Sequence, residues 1–254
     1  EGIRVISQVG GTEAVPALIE LLKSPNAQER HHVAIALGKI DPPAEAAVPA
    51  LIPLLKDTHS VEALNQNTVQ VSAAEALGDI GPAAAEATNA LEEQLQTAKD
   101  PDMRYRTGLS LLEVNSKHVL INNLTSKNPD VSEASARVLS LATPPNQDTK
   151  RALRETLQNP NSDNSDVNLQ IRLTAATTLK LLGEEIDPEE FDNDFQEEYK
   201  KFEEQFEGCP RLPKKGDKLS QDEDPYFDPF RVECSDKHPD GGFKELIGGF
   251  FGFE

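Results

Sequence analysis

The 254-residue chain carries 44 Asp and Glu against 25 Lys and Arg, a net charge of −19. That balance excludes binding to nucleic acid through phosphates, which needs a basic face, and disfavours adsorption to anionic membranes. No apolar run approaches the roughly 20 residues of a membrane span.

Glu1 to Val9 (EGIRVISQV) reads as the end of a helix, with Ile6 and Val9 standing where Leu37 and Ile40 stand further on. The chain does not begin with Met, so a trimmed or partial chain is expected and targeting is not readable from it. Val15, Leu18, Ile19 and Leu22 then recur at i, i+3, i+4 and i+7, one apolar face of a helix. Ser24-Pro25-Asn26 breaks that helix, because proline removes a backbone donor and disfavours helix in the residue before it. Val33, Ala34, Ala36, Leu37 and Ile40 line a second helix, and Ala34, Ala36 and Gly38 are small enough for a very close neighbour. The unit returns at Val48 to Ile80, where VPALIPLLKD answers VPALIELLKS and AAEALGDI answers VAIALGKI. Neither hairpin buries its apolar face alone, so the repetition points to a stacked solenoid.

Helix pairs are expected at about 15–40, 48–80, 88–114, 118–142 and 149–183, with longer turns at Asp57–Asn67 and Asn159–Asp166. Leu18, Leu22, Leu37, Leu51, Leu55, Leu77, Leu111, Leu139 and Leu179 are the candidate core. After Gly183 the pattern changes. Asp187 as N-cap, Pro188 at the first position and acids in the first turn predict a helix start. Phe191, Phe195, Tyr199, Phe202 and Phe206 form one stripe along it, and Gly208 and Pro210 end it. The stripe either seals the open end of the solenoid or stands exposed as a groove-binding helix.

Aromatic residues are segregated. All ten Phe lie between Phe191 and Phe253, and residues 1–183 hold one aromatic, Tyr105. Residues 184–254 carry 22 acids against 9 bases, net −13, and both cysteines. Pro210 to His238 shows no periodic element. It contains the aromatic-acidic knot DPYFDPF (224–230), which looks like the short peptides that dock on endocytic adaptor appendages. The final GGFKELIGGFFGFE places Phe243, Leu246, Ile247, Phe250 and Phe251 at helix-like spacing interrupted by Gly248-Gly249. Each buried ring stabilises by roughly 1.5–3 kcal/mol, so these rings are expected to be covered by the protein itself or by a partner.

VPALIELLK, PDMRYRTGLSLL, AAEALGDIG and the turn GTEAVP resemble HEAT repeats, most closely the short phycobilisome-lyase-type subclass, over roughly residues 1–183. The resemblance implies an all-α fold, a right-handed α-solenoid of HEAT-type helical hairpins. Residues 1–183 would form it, 184–207 an acidic amphipathic capping helix, and 208–254 an extended Pro/Asp/Gly/Phe-rich tail. In that subclass the second helix opens with an apolar residue followed by Arg. Here Arg30, Arg104 and Arg172 hold the position, Gln70 and Ser132 replacing it in pairs two and four. These arginines either tie turn carbonyls and acidic neighbours, or form with Gln70 a polar ladder on the concave face.

Motifs of chemistry are sparse. There is no Gly-rich phosphate loop, no HExxH and no Gly-x-Ser-x-Gly. His31 and His32 are adjacent on a helix, about 100° apart, and do not readily share a metal, so a solvated or loop-bonded pair is expected. Cys209, Cys234 and His238 lack the couplet spacing of a zinc site, and two free thiols are expected unless an oxidising compartment joins Cys209 to Cys234. Every acidic cluster reads as a solvated face. No catalytic residue, metal or cofactor is expected.

The expected function is a non-catalytic protein–protein interaction scaffold or assembly subunit of a larger complex. Its anchors would be Phe227, Phe230, Phe243, Phe250 and Phe251, with the polar ladder beside them. The resemblance also implies the alternative, a phycobilin-lyase-type enzyme or pigment chaperone with a phycobiliprotein or photosynthetic complex as partner. The expected setting is soluble, in cytoplasm or organellar stroma.

Overall fold

The structure, a computed structural model, describes residues 11–59, 68–141, 147–158 and 165–206. The helix end at 1–9, most of the turn before Thr68, both cysteines and the tail anchors Phe227, Phe230, Phe243, Phe250 and Phe251 lie outside the described residues. Among those described, every regular element is helical.

Pair one is α1 (Val15–Leu21) and α2 (Ala27–Gly38). Pair two is α3 (Val48–Leu51), continued as a 3-10 stretch over Ile52–Lys56, and α4 (Val69–Ile80). Pro53 explains the change of helix type, because it lacks the N–H that would bond the Pro49 carbonyl in an α-helix. Pair three is α5 (Thr88–Thr97) and α6 (Pro101–Glu113); pair four is α7 (Lys117–Asn123) and α8 (Pro129–Ser140). Pair five is α9 (Gln147–Gln158) and α10 (Ser165–Leu181).

The second helices start from matching side-chain caps. The Asn26 side chain accepts from the Gln28 N–H at 2.9 Å, Asp100 from Asp102 at 3.0 Å and Asn128 from Asp130 at 3.1 Å. Pair two does this with backbone instead. The Gln70 and Val69 N–H groups donate to the carbonyls of Asp57 and His59 at 3.0 and 3.2 Å.

The chain divides into two compact units, Glu1–Leu139 and Ser140–Glu254. In the first, α2 packs on α4 and α4 on α6. Small residues permit this approach. A β-carbon added at Gly38 would lie 2.9 Å from the Ala76 Cα, and one at Gly78 only 3.1 Å from the Ser110 Cα. One at Gly108 would lie 2.9 Å from Val138 Cγ2, on α8. Leu18, Leu22, Leu37, Leu51, Leu55, Leu77, Leu111 and Leu139 are all buried, as their periodicity predicts.

In the second unit α9 packs on α10, burying Leu153, Leu157, Ile171 and Leu179. A final helix, α11 (Asn193–Phe206), packs against α10. Its start differs from expectation. The Asp187 side chain does accept from the Glu189 N–H at 2.9 Å, but it caps only a 3-10 turn, Pro188–Glu190. Phe191 is then extended, and Asp192 opens α11 by accepting from the Phe195 N–H at 3.0 Å. Phe195 and Tyr199 are fully buried, with rings stacked 5.5 Å apart, so this part of the stripe is covered by the protein's own surface.

Leu77 is fully buried on α4. Leu77→Ala is expected to cost about 2–5 kcal/mol in chemical denaturation, as a large-to-small core change. A loss below about half a kcal/mol would place the wrong face inward.

Candidate functional site

The arginine positions meet a common geometry. Arg30, buried on α2, donates from Nη1 to the Ser24 carbonyl at 2.7 Å and from Nε to Asp57 Oδ2 at 2.7 Å. Arg104, buried on α6, donates to the Ala98 carbonyl and stands 3.3 Å from Asp130. Arg172, half-buried on α10, donates from Nε to the Leu157 carbonyl at 3.2 Å and from Nη1 to Asp192. Each guanidinium therefore joins a carbonyl at or just beyond the end of its own pair's first helix to an aspartate further along the chain. Its planar fork reaches both at once. Arg172 also stacks over the rings of Phe191 and Phe195, 5.3 and 4.9 Å from their centres.

The two replaced positions behave differently. Ser132 is buried and its hydroxyl donates to the Leu124 carbonyl, a short substitute for the arginine. Gln70 is half-buried, and the carbonyl at the end of its first helix, Leu55, accepts at 3.1 Å from Gln94 on α5. Beside it lies a cavity of about 590 Å³, lined by Leu55, Thr58, Gln70, Gln94, Asp100 and Met103 among others.

The burial of these groups decides which contacts carry energy. The Arg30 and Asp57 side chains are 10% and 12% exposed. Burial alone would raise the Asp57 pKa, but hydrogen bonds from His59 and Arg30 hold it below the usual carboxylate value. Asp130 is 57% exposed, so solvent screens its pairing with Arg104 and the stabilising contact there is the Ala98 carbonyl.

Three polar groups, two buried and one half-buried, escape sequence reasoning. His31 is not solvated: it is buried on α2, with Nδ1 hydrogen-bonded to the Ser72 hydroxyl of α4. Burial, then the nearby His32, lowers its pKa and keeps it neutral. His32 is exposed, its Nδ1 meeting the Gln28 carbonyl at 2.6 Å. Glu133 contradicts the expectation that every acidic cluster is solvated. It is 5% exposed on α8, 3.4 Å from Arg137, which lies over the Tyr105 ring of α6. Burial pushes its pKa up to about 7, against the opposing pull of Arg137. Finally, Arg106 joins α6 to α4 through a half-buried pair with Glu75. Only a tertiary neighbour makes these positions special, and the linear pattern does not show it. Among the described residues no group of three or more His, Cys, Asp and Glu is placed to hold a metal ion.

Arg104→Ala should lower stability by about 1–3 kcal/mol, the cost of leaving the part-buried Ala98 carbonyl without its charged donor. Arg104→Lys should recover only part of it, both losses being read by urea titration, and full recovery by lysine would contradict the fork geometry. Glu133 sets a pH window. Its folded pKa of about 7 exceeds the ordinary glutamate value of 4.5, so its ionisation destabilises the fold progressively as pH rises between those values. Glu133→Gln should flatten that part of the stability–pH profile, and an unchanged slope would show that the carboxyl does not titrate there.

The model of HEAT repeats matches residues 1–66. No curated protein matches the chain. Among solved structures, an engineered protein is similar at 20% identity, with 66% of this chain and 83% of that one covered and a TM-score of 0.36. The complex of CpcE and CpcF of phycocyanin lyase from Nostoc sp. PCC7120 is similar at 20% identity, covering 71% of each chain, with a TM-score of 0.36. The chain is therefore similar to HEAT repeats over residues 1–66, the stretch that contains pair one and the first helix of pair two.

Proposed function

We propose that the chain is a non-catalytic scaffold, an assembly subunit that holds another protein. The observation that carries this reading is the HEAT repeat, with second helices α2, α4 and α6 packed in succession. Stacked hairpins of this kind present an extended surface rather than a closed reaction chamber, and function lies in what that surface contacts. The charges at the repeated arginine positions of pairs one, three and five serve the fold, since each joins a carbonyl and an aspartate of its own chain. Partner affinity is then assigned chiefly to Phe227, Phe230, Phe243, Phe250 and Phe251. These apolar anchors sit in an acidic sequence whose charge governs partner choice and encounter rate.

The test uses the full chain as bait in extract from its native source, beside a variant with those five phenylalanines changed to serine. The scaffold reading expects one defined protein complex on the parent chain, lost from the variant while its thermal unfolding is unchanged. Equal recovery on both would remove the tail from the binding surface. Copurification of a pigment with visible absorbance, transferred by the chain to an acceptor protein, would overturn the scaffold reading in favour of a pigment lyase or chaperone.

A further inference from the structure

The cavity beside Gln70 occupies a special place in the repeat. In pair one the Arg30 guanidinium lies between the turn at Ser24 and Asp57 of the next pair. In pair three the Arg104 guanidinium lies between the turn at Ala98 and Asp130 of the next pair. The corresponding space in pair two lies between Leu55–Thr58 and the turn Thr97–Asp100. It is there that the cavity of about 590 Å³ opens, walled by both segments and by Gln70, Gln94 and Met103. Glutamine is too short to span it and carries no charge.

The fold tolerates the replacement because Gln94 serves both neighbours. Its Nε2 donates to the Leu55 carbonyl at 3.1 Å, and its Oε1 accepts from the Thr107 hydroxyl at 3.2 Å. The Leu55 carbonyl, the counterpart of the Leu157 carbonyl that Arg172 meets, is thus already satisfied, and the space stays open. What remains for a ligand is a set of acceptors in arginine-like surroundings. Asp100, exposed at the mouth, offers a carboxylate whose Oδ1 accepts from the Asp102 N–H at 3.0 Å, and Gln70 lines the same cavity. Of the two cations on the wall, Lys56 is engaged by Glu93 at 2.8 Å, leaving Lys99 on the exposed rim. The volume lies within the roughly 300–1,000 Å³ of small-ligand sites.

We propose that this cavity is a binding site for a guanidinium group, the side chain of an arginine presented by a protein partner. The inserted group stands where Arg30 and Arg104 stand in their own pairs, with Asp100 as its carboxylate partner. A guanidinium is preferred to an ammonium because a planar, weakly hydrated fork addresses several acceptors at fixed angles, whereas an ammonium is a strongly hydrated point charge. Only the source of the arginine rests on the scaffold reading; the chemistry of the cavity stands apart from it.

The experiment titrates the full chain with N-acetyl-arginine methylamide and, separately, with the lysine analogue, following backbone amide shifts by NMR. Saturable shifts are expected at residues 55–58 and 97–100, with the lysine analogue weaker. Gln70→Arg should fill the cavity from within, abolish the shifts and raise the melting temperature. Asp100→Asn retains a cap for α6 but loses the charge, and should weaken the arginine analogue about tenfold, the loss of one charge-assisted hydrogen bond. The site is overturned if no saturable shift appears at these residues, or if both analogues bind equally. It is also overturned if Asp100→Asn leaves the affinity unchanged, a readout that holds even if Gln70→Arg fails to fold. Success here with failure of the pull-down would preserve the site and reject the scaffold.

Discussion

The close approach of successive second helices is the constraint on which the first unit depends. At Gly38 another carbon would collide with the Ala76 backbone, and at Gly78 it would press Ser110 by a few tenths of an ångström. Once the helices stand this near, the order of the remaining layers follows. Large leucines fill the space between first and second helices, and the first helices need contribute only one apolar face each. The same proximity brings polar groups of adjacent pairs within bonding distance, which is why His31 finds Ser72 and Arg106 finds Glu75.

The arginine ties are the second consequence. A helix that ends inside a stack leaves carbonyls that water does not readily reach, and these must find donors. Arg30 and Arg104 meet that need and reach forward to the next pair in one move, while Ser132 and Gln94 meet it with shorter or borrowed side chains. Where the donor is borrowed, at pair two, the repeat is left with an open cavity rather than a buried charge.

Much of this was legible in the sequence, for identifiable reasons. Leucines at helical spacing, breakers such as Pro25 and the small run at Ala34, Ala36 and Gly38 are local signals, and the helices and the buried face follow from them. The arginine positions were visible through repetition, but the carbonyls they meet at Ser24, Ala98 and Leu157 are set by turn geometry that no linear pattern gives. Three features were not legible. His31 meets Ser72, 41 positions away, and the buried Glu133 pairs with Arg137, which lies over Tyr105; helical periodicity encodes neither meeting. The start of α11 was misplaced because Asp187-Pro188 is a valid cap for a helix of any length, and the extended Phe191 then ends that turn. The cavity follows from what Gln70 fails to fill and Gln94 replaces, a relation between repeats rather than within one.

In this fold α2 and α4 stand as near as their small residues allow and hold each other in place. Native-state hydrogen exchange on Gly38→Ala tests it most directly. The added carbon must displace Ala76, so protection should fall together in α2 and α4 by about 1–3 kcal/mol, the usual cost of overpacking. Loss confined to α2, with α4 exchanging as in the parent chain, would contradict the account.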